Sequence, residues 1–441
     1  MKNKKMMVVG FISAVTLSVV LSSSLIAKSD AKPLPTEASL EASRLQSLAK
    51  YTKVLSIVEQ YNVDSLGIDQ LVDKSLQGML SNLDAHSTFM DKKSFDSLKS
   101  QTDGEFGGLG ITVGMRDGAL TVIAPIEGTP ADKAGIKAGD IILKINDKAT
   151  LSMTIDDAVS LMRGTPKTPI DLTVVRKGAG EPLKFHIIRD IITVESVYAR
   201  TIDENILYVR VTSFDKKVAG DVRSVIKKHA SKSKGIILDL RNNPGGLLDQ
   251  AVELTDLFVD EGVIVSQKGR NKSDDIVYSA TKKDTITALP LVVLVNEGSA
   301  SASEIVSGAL QDLKRGVIVG TKTFGKGSVQ VVMPITDTEA IKLTIARYYL
   351  PSGRTIQAVG VVPDVEVDAG EIKKHENGFN IKEADLKKHL ESELEKTGGM
   401  VDVTELNATN KTTITKEQLT KDTQLKEGVG ILKALIIVKG R

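Results

Sequence analysis

Two short apolar runs, Gly235–Leu240 and Leu291–Val295, show almost no polar alternation, which is the pattern of strands covered on both faces. Strands of that kind belong to parallel sheets, and parallel neighbours need crossover connections that are usually helical. Helical spacing does fill the intervening stretches at Ala219–His229, Gly246–Phe258 and Ser301–Lys314. An α/β core over residues 191–370 is therefore expected.

The chain of 441 residues is long enough for further domains around that core. Residues 35–98 carry apolar side chains at helical spacing (Leu45, Leu48, Tyr51, Val54, Leu55, Val58) and predict a helical N-terminal region. Residues 99–190 break into short β-like runs, Gly110–Val113, Leu120–Ile123, Ile141–Ile145, Ile170–Val175 and Leu183–Ile188, with helical stretches near Pro130 and over Thr154–Met162. Residues 371–441 are rich in Lys and Glu and end in an apolar helix near Gly428–Val438, read as a peripheral cap or an oligomerisation element. The expected fold class is multidomain α/β: a β-rich domain joined to an α/β core, with helical elements at both ends.

At the N-terminus, Lys2, Lys4 and Lys5 precede an uncharged stretch from Met6 to Ala27, the pattern of a signal peptide or membrane anchor over residues 1–27. Export across the cytoplasmic membrane to a periplasmic or other extracytoplasmic site is expected, with anchoring by the uncleaved segment as the alternative. Lys+Arg 58 against Asp+Glu 56 gives no net field that would favour a nucleic-acid partner. The absence of cysteine excludes disulfides, thiolate catalysis and Cys-ligated metal. No metal-ligand or phosphate-loop spacing occurs, so no cofactor is expected.

None of the five histidines, His86, His186, His229, His375 and His389, lies near a nucleophile-like turn, so a histidine base is not signalled. The segment LVVLVNEGSASASE, ending at Glu304, runs from a buried-type strand through three alternating serines into a helix. Such a turn lifts a hydroxyl to the C-terminal edge of a sheet, beside helix amides that can stabilise an oxyanion. Ser301 and Glu304 equally fit a capping box, a purely structural role. In TKTFGKGSVQ, Lys326 is flanked by glycines between two β-like runs, where an exposed hairpin lysine is the plain alternative. A desolvated amine can nonetheless activate a serine, and Gln330 is spaced to orient it.

Together, VNEGSASASEI, FGKGSVQ with Gln330, LDLRNNPGG at Leu238–Gly246 and ARYYLPSGRTIQ at Ala346–Gln357 resemble the C-terminal processing peptidases, or tail-specific proteases, over most of residues 35–370. The resemblance implies a serine endopeptidase with Ser301 as nucleophile, Lys326 as general base and Gln330 as the residue that orients the lysine. It also implies oxyanion amides from Ala302 and from Gly245 or Gly246. The Asn243-Pro244-Gly245-Gly246 turn follows a buried strand and opens a helix, so free N–H groups are expected there on physical grounds too.

Gly107-Gly108-Leu109-Gly110-Ile111 resembles the carboxylate-binding loop of PDZ domains, Pro130–Asp147 resembles their core, and Thr154–Arg163 the helix that walls their groove. PDZ domains capture chain ends by strand addition. The amides near Leu109, Gly110 and Ile111 would hold a terminal carboxylate, with Leu109, Ile111, Ala158, Leu161 and Met162 lining an apolar pocket. Arg163 closes the groove helix, either as a plain helix-end charge or as a coupling to the active site.

The expected partners are protein or peptide substrates with apolar C-termini, a second copy in a homodimer, and a regulatory or adaptor protein. A penicillin-binding type acyltransferase is a competing reading, but its S-x-x-K hits fall in helix-like or charged stretches and no S-D-N accompanies them. A non-catalytic PDZ scaffold for exported protein tails is the alternative from a different class.

Overall fold

The structure is a computed structural model that describes residues 37–116, 118–203, 205–371 and 413–440. The expected signal or anchor segment and most of the charged tail lie outside the described residues. The chain divides into two units, the first ending at Lys74 and the second starting at Ser75. The first unit contains the helix Glu37–Tyr61, none of whose residues is buried, with Leu45, Leu48 and Val54 exposed.

The second unit is built on a sheet of seven strands among the described residues. Its order is Val365–Glu366, Val317–Gly320, Leu291–Val295, Gly235–Asp239, Ile206–Val211, Val197–Ile202 and Thr413–Ile414. The five strands from Val365–Glu366 to Ile206–Val211 pair in parallel, as the two apolar runs require. Side chains alternate across the sheet with the two-residue strand period. Ile236, Leu238, Val293 and Val295 face one core with the helices Val218–His229, Leu248–Asp256 and Ala302–Asp312, while Ile237, Val292 and Leu294 face the other.

That second face is covered by the tail helix Thr423–Lys439, through Leu425, Val429 and Leu432. The described end of the C-terminal segment thus packs as a layer on the sheet, where the composition had suggested a peripheral cap or an oligomerisation element. The charged stretch before it conceals this role, because it dominates the composition while the packing is done by apolar side chains of the last helix. Asp422 caps that helix and also forms two hydrogen bonds of 2.8 Å with Arg241, which lies immediately before the Asn242–Gly246 turn. Arg241 also grips the buried Asp239 carboxylate, an arrangement that offsets the desolvation of a nearly buried guanidinium.

The β-rich domain is a sheet ordered Ile111–Arg116, Ala119–Pro125, Ile141–Ile145, Pro169–Val175, Leu183–Ile188 around its own core. The helix Ile155–Met162 packs on it, capped by the Thr154 and Asp157 box at its start. The buried Arg189 donates to the carbonyls of Leu161 and Met162 at its end. The strand Ile111–Arg116 is an edge, paired only with its neighbour Ala119–Pro125. A further sheet lies beside the main one and carries the hairpin Ser328–Pro334 and Ala340–Tyr349, with Thr88–Met90 on the far side of the second strand.

Candidate active site

The strand Leu291–Val295 ends at Asn296, and a five-residue turn leads to Ser301 at the start of the helix Ala302–Asp312. Ser301 sits at φ 53° and ψ −111°, a sparsely populated conformation for a residue with a side chain. Of the three alternating serines, Ser299 donates to the Leu240 carbonyl at 2.8 Å and Ser303 to the Asn243 carbonyl at 2.9 Å. Those two hydroxyls tie the nucleophile-like turn to the Asn-Pro-Gly-Gly turn beside it. Ser301, between them, lines a cleft of about 600 Å³ together with Lys326, Gln330, Gly245 and Gly246. Ser301 is also the N-cap, with Glu304 accepting from its amide at 2.8 Å, but its hydroxyl makes no cap hydrogen bond and the Glu304 amide donates to the Ser301 carbonyl at 2.9 Å.

Glu304 is fully buried and organises the site. Besides the Ser301 amide it accepts from the Thr323 hydroxyl at 2.6 Å, the Gly325 amide at 2.7 Å and the Lys326 amide at 2.9 Å. Four donors satisfy a carboxylate that would otherwise be costly to bury. They also place the Lys326 segment against the Ser301 turn. Burial lowers the Lys326 pKa, and the charge of Lys342 pushes it further down, while Glu304 acts in the opposite sense. Lys342 lines the same cleft. Among the described residues no hydrogen bond joins Ser301 Oγ to Lys326 Nζ.

Gln330 Nε2 donates to Ser328 Oγ at 2.8 Å and to Thr344 Oγ1 at 3.2 Å, and not to Lys326. The two glycines differ in what their amides meet. The Gly245 amide is taken by Asn243 Oδ1 at 2.9 Å, whereas the amides of Gly246 and Ala302 donate to no group among the described residues. Gly245 is also pressed against the serine, since a Cβ there would lie 2.8 Å from the Ala300 carbonyl oxygen and 2.9 Å from Ser301 Cβ.

In the β-rich domain, Leu109, Ala158 and Met162 are buried in the core, with Leu161 packed against it and Ile111 half-buried at the start of the edge strand. The Leu109 and Gly110 amides have no acceptor among the described residues, and Gly110 adopts φ 77°, where a side chain would collide with Thr129. Arg163 ends the groove helix and stacks on the Phe106 ring at 4.6 Å.

Sequence reading passed over the loop before Thr88. There Asp84 accepts from Ser87, and His86 has its pKa lowered by burial and then by the charge of Lys326. Only the fold brings that loop to the cleft, so no local pattern announces it.

Comparison with known proteins gives these features a family. Residues 205–367 match the family model described as Peptidase family S41, and residues 121–176 match a PDZ domain. The carboxy-terminal-processing protease of Bartonella bacilliformis is 42% identical over 81% of this chain and 84% of its own length. The chain belongs to peptidase family S41. It is also 37% identical to the carboxy-terminal processing protease CtpA of Bacillus subtilis, over 74% of this chain and 71% of that protein. The solved photosystem II D1 C-terminal processing protease aligns at 29% identity over 72% of this chain and 92% of that one, with a TM-score of 0.43. This S41 protease accordingly carries a PDZ domain joined to an α/β protease core, the fold class expected from sequence.

Proposed function

We propose that this S41 protease is an ATP-independent serine endopeptidase with a Ser301/Lys326 dyad, and that its PDZ domain selects apolar protein C-termini. The observation that carries the reading is the common cleft of Ser301 and Lys326, whose backbone amides share the buried Glu304 carboxylate, with the unengaged Gly246 and Ala302 amides beside the serine. In the proposed cycle the neutral Lys326 amine removes the Ser301 proton as Oγ attacks the scissile carbonyl. The Gly246 and Ala302 amides stabilise the oxyanion. Lys326 returns the proton to the leaving amine, and water, deprotonated by the same amine, releases the acyl group. Gln330 orients the lysine.

The substrate tail adds to the free edge of Ile111–Arg116, its carboxylate held by the amides around Leu109–Ile111 and its last side chain admitted among Leu109, Ile111, Ala158, Leu161 and Met162. Of these pocket residues Leu109, Ala158 and Met162 belong to the domain's core, so the pocket is continuous with it. The basic and apolar N-terminus supports export and an extracytoplasmic site of action. The exposed Leu45, Leu48 and Val54 on one long helix support a homodimer. An adaptor or regulatory protein is a further proposed partner.

The test is cleavage of an unstructured polypeptide with an apolar tail by the purified chain and by Ser301→Ala. Loss of cleavage with tail binding retained supports the dyad enzyme; binding without cleavage by the wild type would leave the scaffold reading.

A further inference from the structure

The loop before Thr88 contains an acceptor whose influence reaches the cleft without lining it. Asp84 Oδ1 accepts from the His86 amide at 2.8 Å and the Ser87 amide at 2.9 Å, and Oδ2 from the Ser87 hydroxyl at 2.6 Å. The Thr344 hydroxyl, on the strand Ala340–Tyr349, donates to Asp84 Oδ1 at 3.1 Å. The Ser87 hydroxyl and the two amides hold the Asp84 carboxyl down at about 2, with Thr344 adding to the effect against the opposing cost of burial.

An ionised carboxylate accepts and cannot donate. Its presence therefore fixes Thr344 as the donor of that bond and leaves the Thr344 oxygen as an acceptor for its other neighbour. That neighbour is Gln330 Nε2, which donates to Thr344 and to Ser328 and so uses both of its hydrogens. The remaining polar atom of Gln330 is the carbonyl oxygen Oε1, an acceptor.

The direction matters to a lysine base. A neutral amine has two hydrogens and one lone pair, and the lone pair must be free for the serine hydroxyl. A glutamine that offered its NH₂ would occupy the lone pair; one that offers its carbonyl takes a hydrogen and leaves the lone pair available. We propose that Asp84 is a positioning residue that sets the hydrogen-bond direction along Asp84, Thr344 and Gln330, so that Gln330 presents a carbonyl oxygen to Lys326. The inference rests on the proposed roles of Lys326 and Gln330.

The experiment compares Asp84→Ala, Thr344→Val, Thr344→Ser, Gln330→Ala and the double variant Asp84→Ala/Gln330→Ala in the full chain, on a peptide that the wild type cleaves. Asp84→Ala removes the acceptor that holds the Thr344 hydroxyl as a donor, so Thr344 can turn and donate to Gln330 and the chain of bonds can reverse. Asp84→Ala and Thr344→Val are expected to lower kcat by roughly 10- to 100-fold with KM unchanged, and Thr344→Ser to retain activity. The double variant is expected to be no slower than Gln330→Ala alone. Losses that multiply in the double variant, or full activity of folded Asp84→Ala beside an impaired Gln330→Ala, would overturn the inference. Full activity of Gln330→Ala would instead remove the orienting role of Gln330 itself. Thermal melting and tail-peptide binding check folding, and if Asp84→Ala does not fold, the Thr344→Val and Thr344→Ser pair decides: equal activity of the two rejects the proposal.

Discussion

Glu304 Oε2 accepts the backbone amides of both Ser301, at 2.8 Å, and Lys326, at 2.9 Å, so a single oxygen atom sets the spacing between the Ser301 turn and the Lys326 segment. Replacing the carboxylate by an amide puts two hydrogens where the site supplies only donors. Glu304→Gln is expected to destabilise the protein by about 2–4 kcal/mol and to lower kcat more than it raises KM. Urea unfolding followed by steady-state kinetics on the folded fraction measures both.

The lowered Lys326 pKa predicts a rising limb in the pH profile. In the proposed dyad the amine works unprotonated, so kcat/KM should climb with pH through a value below the ordinary lysine 10.5 and then level off. Lys342→Gln removes a positive neighbour, raises the Lys326 pKa and moves the limb to higher pH; Lys342→Arg leaves it in place. Because the folded state gives up this proton more readily than the unfolded state does, stability from this group increases with pH over the same window. Lys326→Met should accordingly be inactive and more stable than wild type at neutral pH, a difference read from melting temperatures.

Gly246 has φ 149°, and a Cβ there would lie 2.2 Å from the Phe214 carbonyl oxygen. Gly246→Ala must displace a turn that lines the same cleft as Ser301 and holds the proposed oxyanion amide, and a loss of roughly 100-fold or more in kcat is expected. Binding of a tail peptide to the PDZ domain should be unaffected, as fluorescence anisotropy would report.

Gly110 divides the functions the other way. A Cβ at φ 77° would lie 2.3 Å from Thr129 Cβ, so Gly110→Val should distort the loop around Leu109–Ile111 and abolish tail binding. Turnover of a short peptide presented at high concentration should survive.

Asp422→Ala leaves Arg241 with Asp239 and Gln424 as its side-chain partners and is expected to cost about 1–3 kcal/mol. The Arg241 hydrogen bonds lower the Asp422 pKa against the opposing effect of burial, so its contribution is present above the ordinary carboxylate range and is lost as pH falls through the lowered value. Acid unfolding of wild type and variant should therefore converge at low pH.

Much of the fold was legible because its strands are short apolar runs with clear ends. Ile141–Ile145, Leu183–Ile188 and Leu291–Val295 begin and end where the apolar pattern does. The groove helix was equally plain, from Thr154 as its cap to Arg163 at its end. The Ser301 turn was legible as strand, turn and helix, but two readings of the serine stood side by side because cap and nucleophile want the same residue at the same place. The free amide at Gly246 had a local signal in Asn243, a residue type whose side chain commonly bonds the backbone two residues on. Asp84, Thr344 and Lys342 had none. They meet through the register of Thr88–Met90 against Ala340–Tyr349, a pairing between distant segments that no periodicity encodes.

The tail helix has a consequence for the life of the molecule. The floor beneath the main sheet is made of side chains up to Leu432, and Asp422 clamps the arginine just ahead of the Asn242–Gly246 turn. During synthesis those residues emerge long after Ser301 and Lys326. On the ribosome one face of the sheet therefore stays bare, and Arg241 half-anchored, until the tail helix has been made.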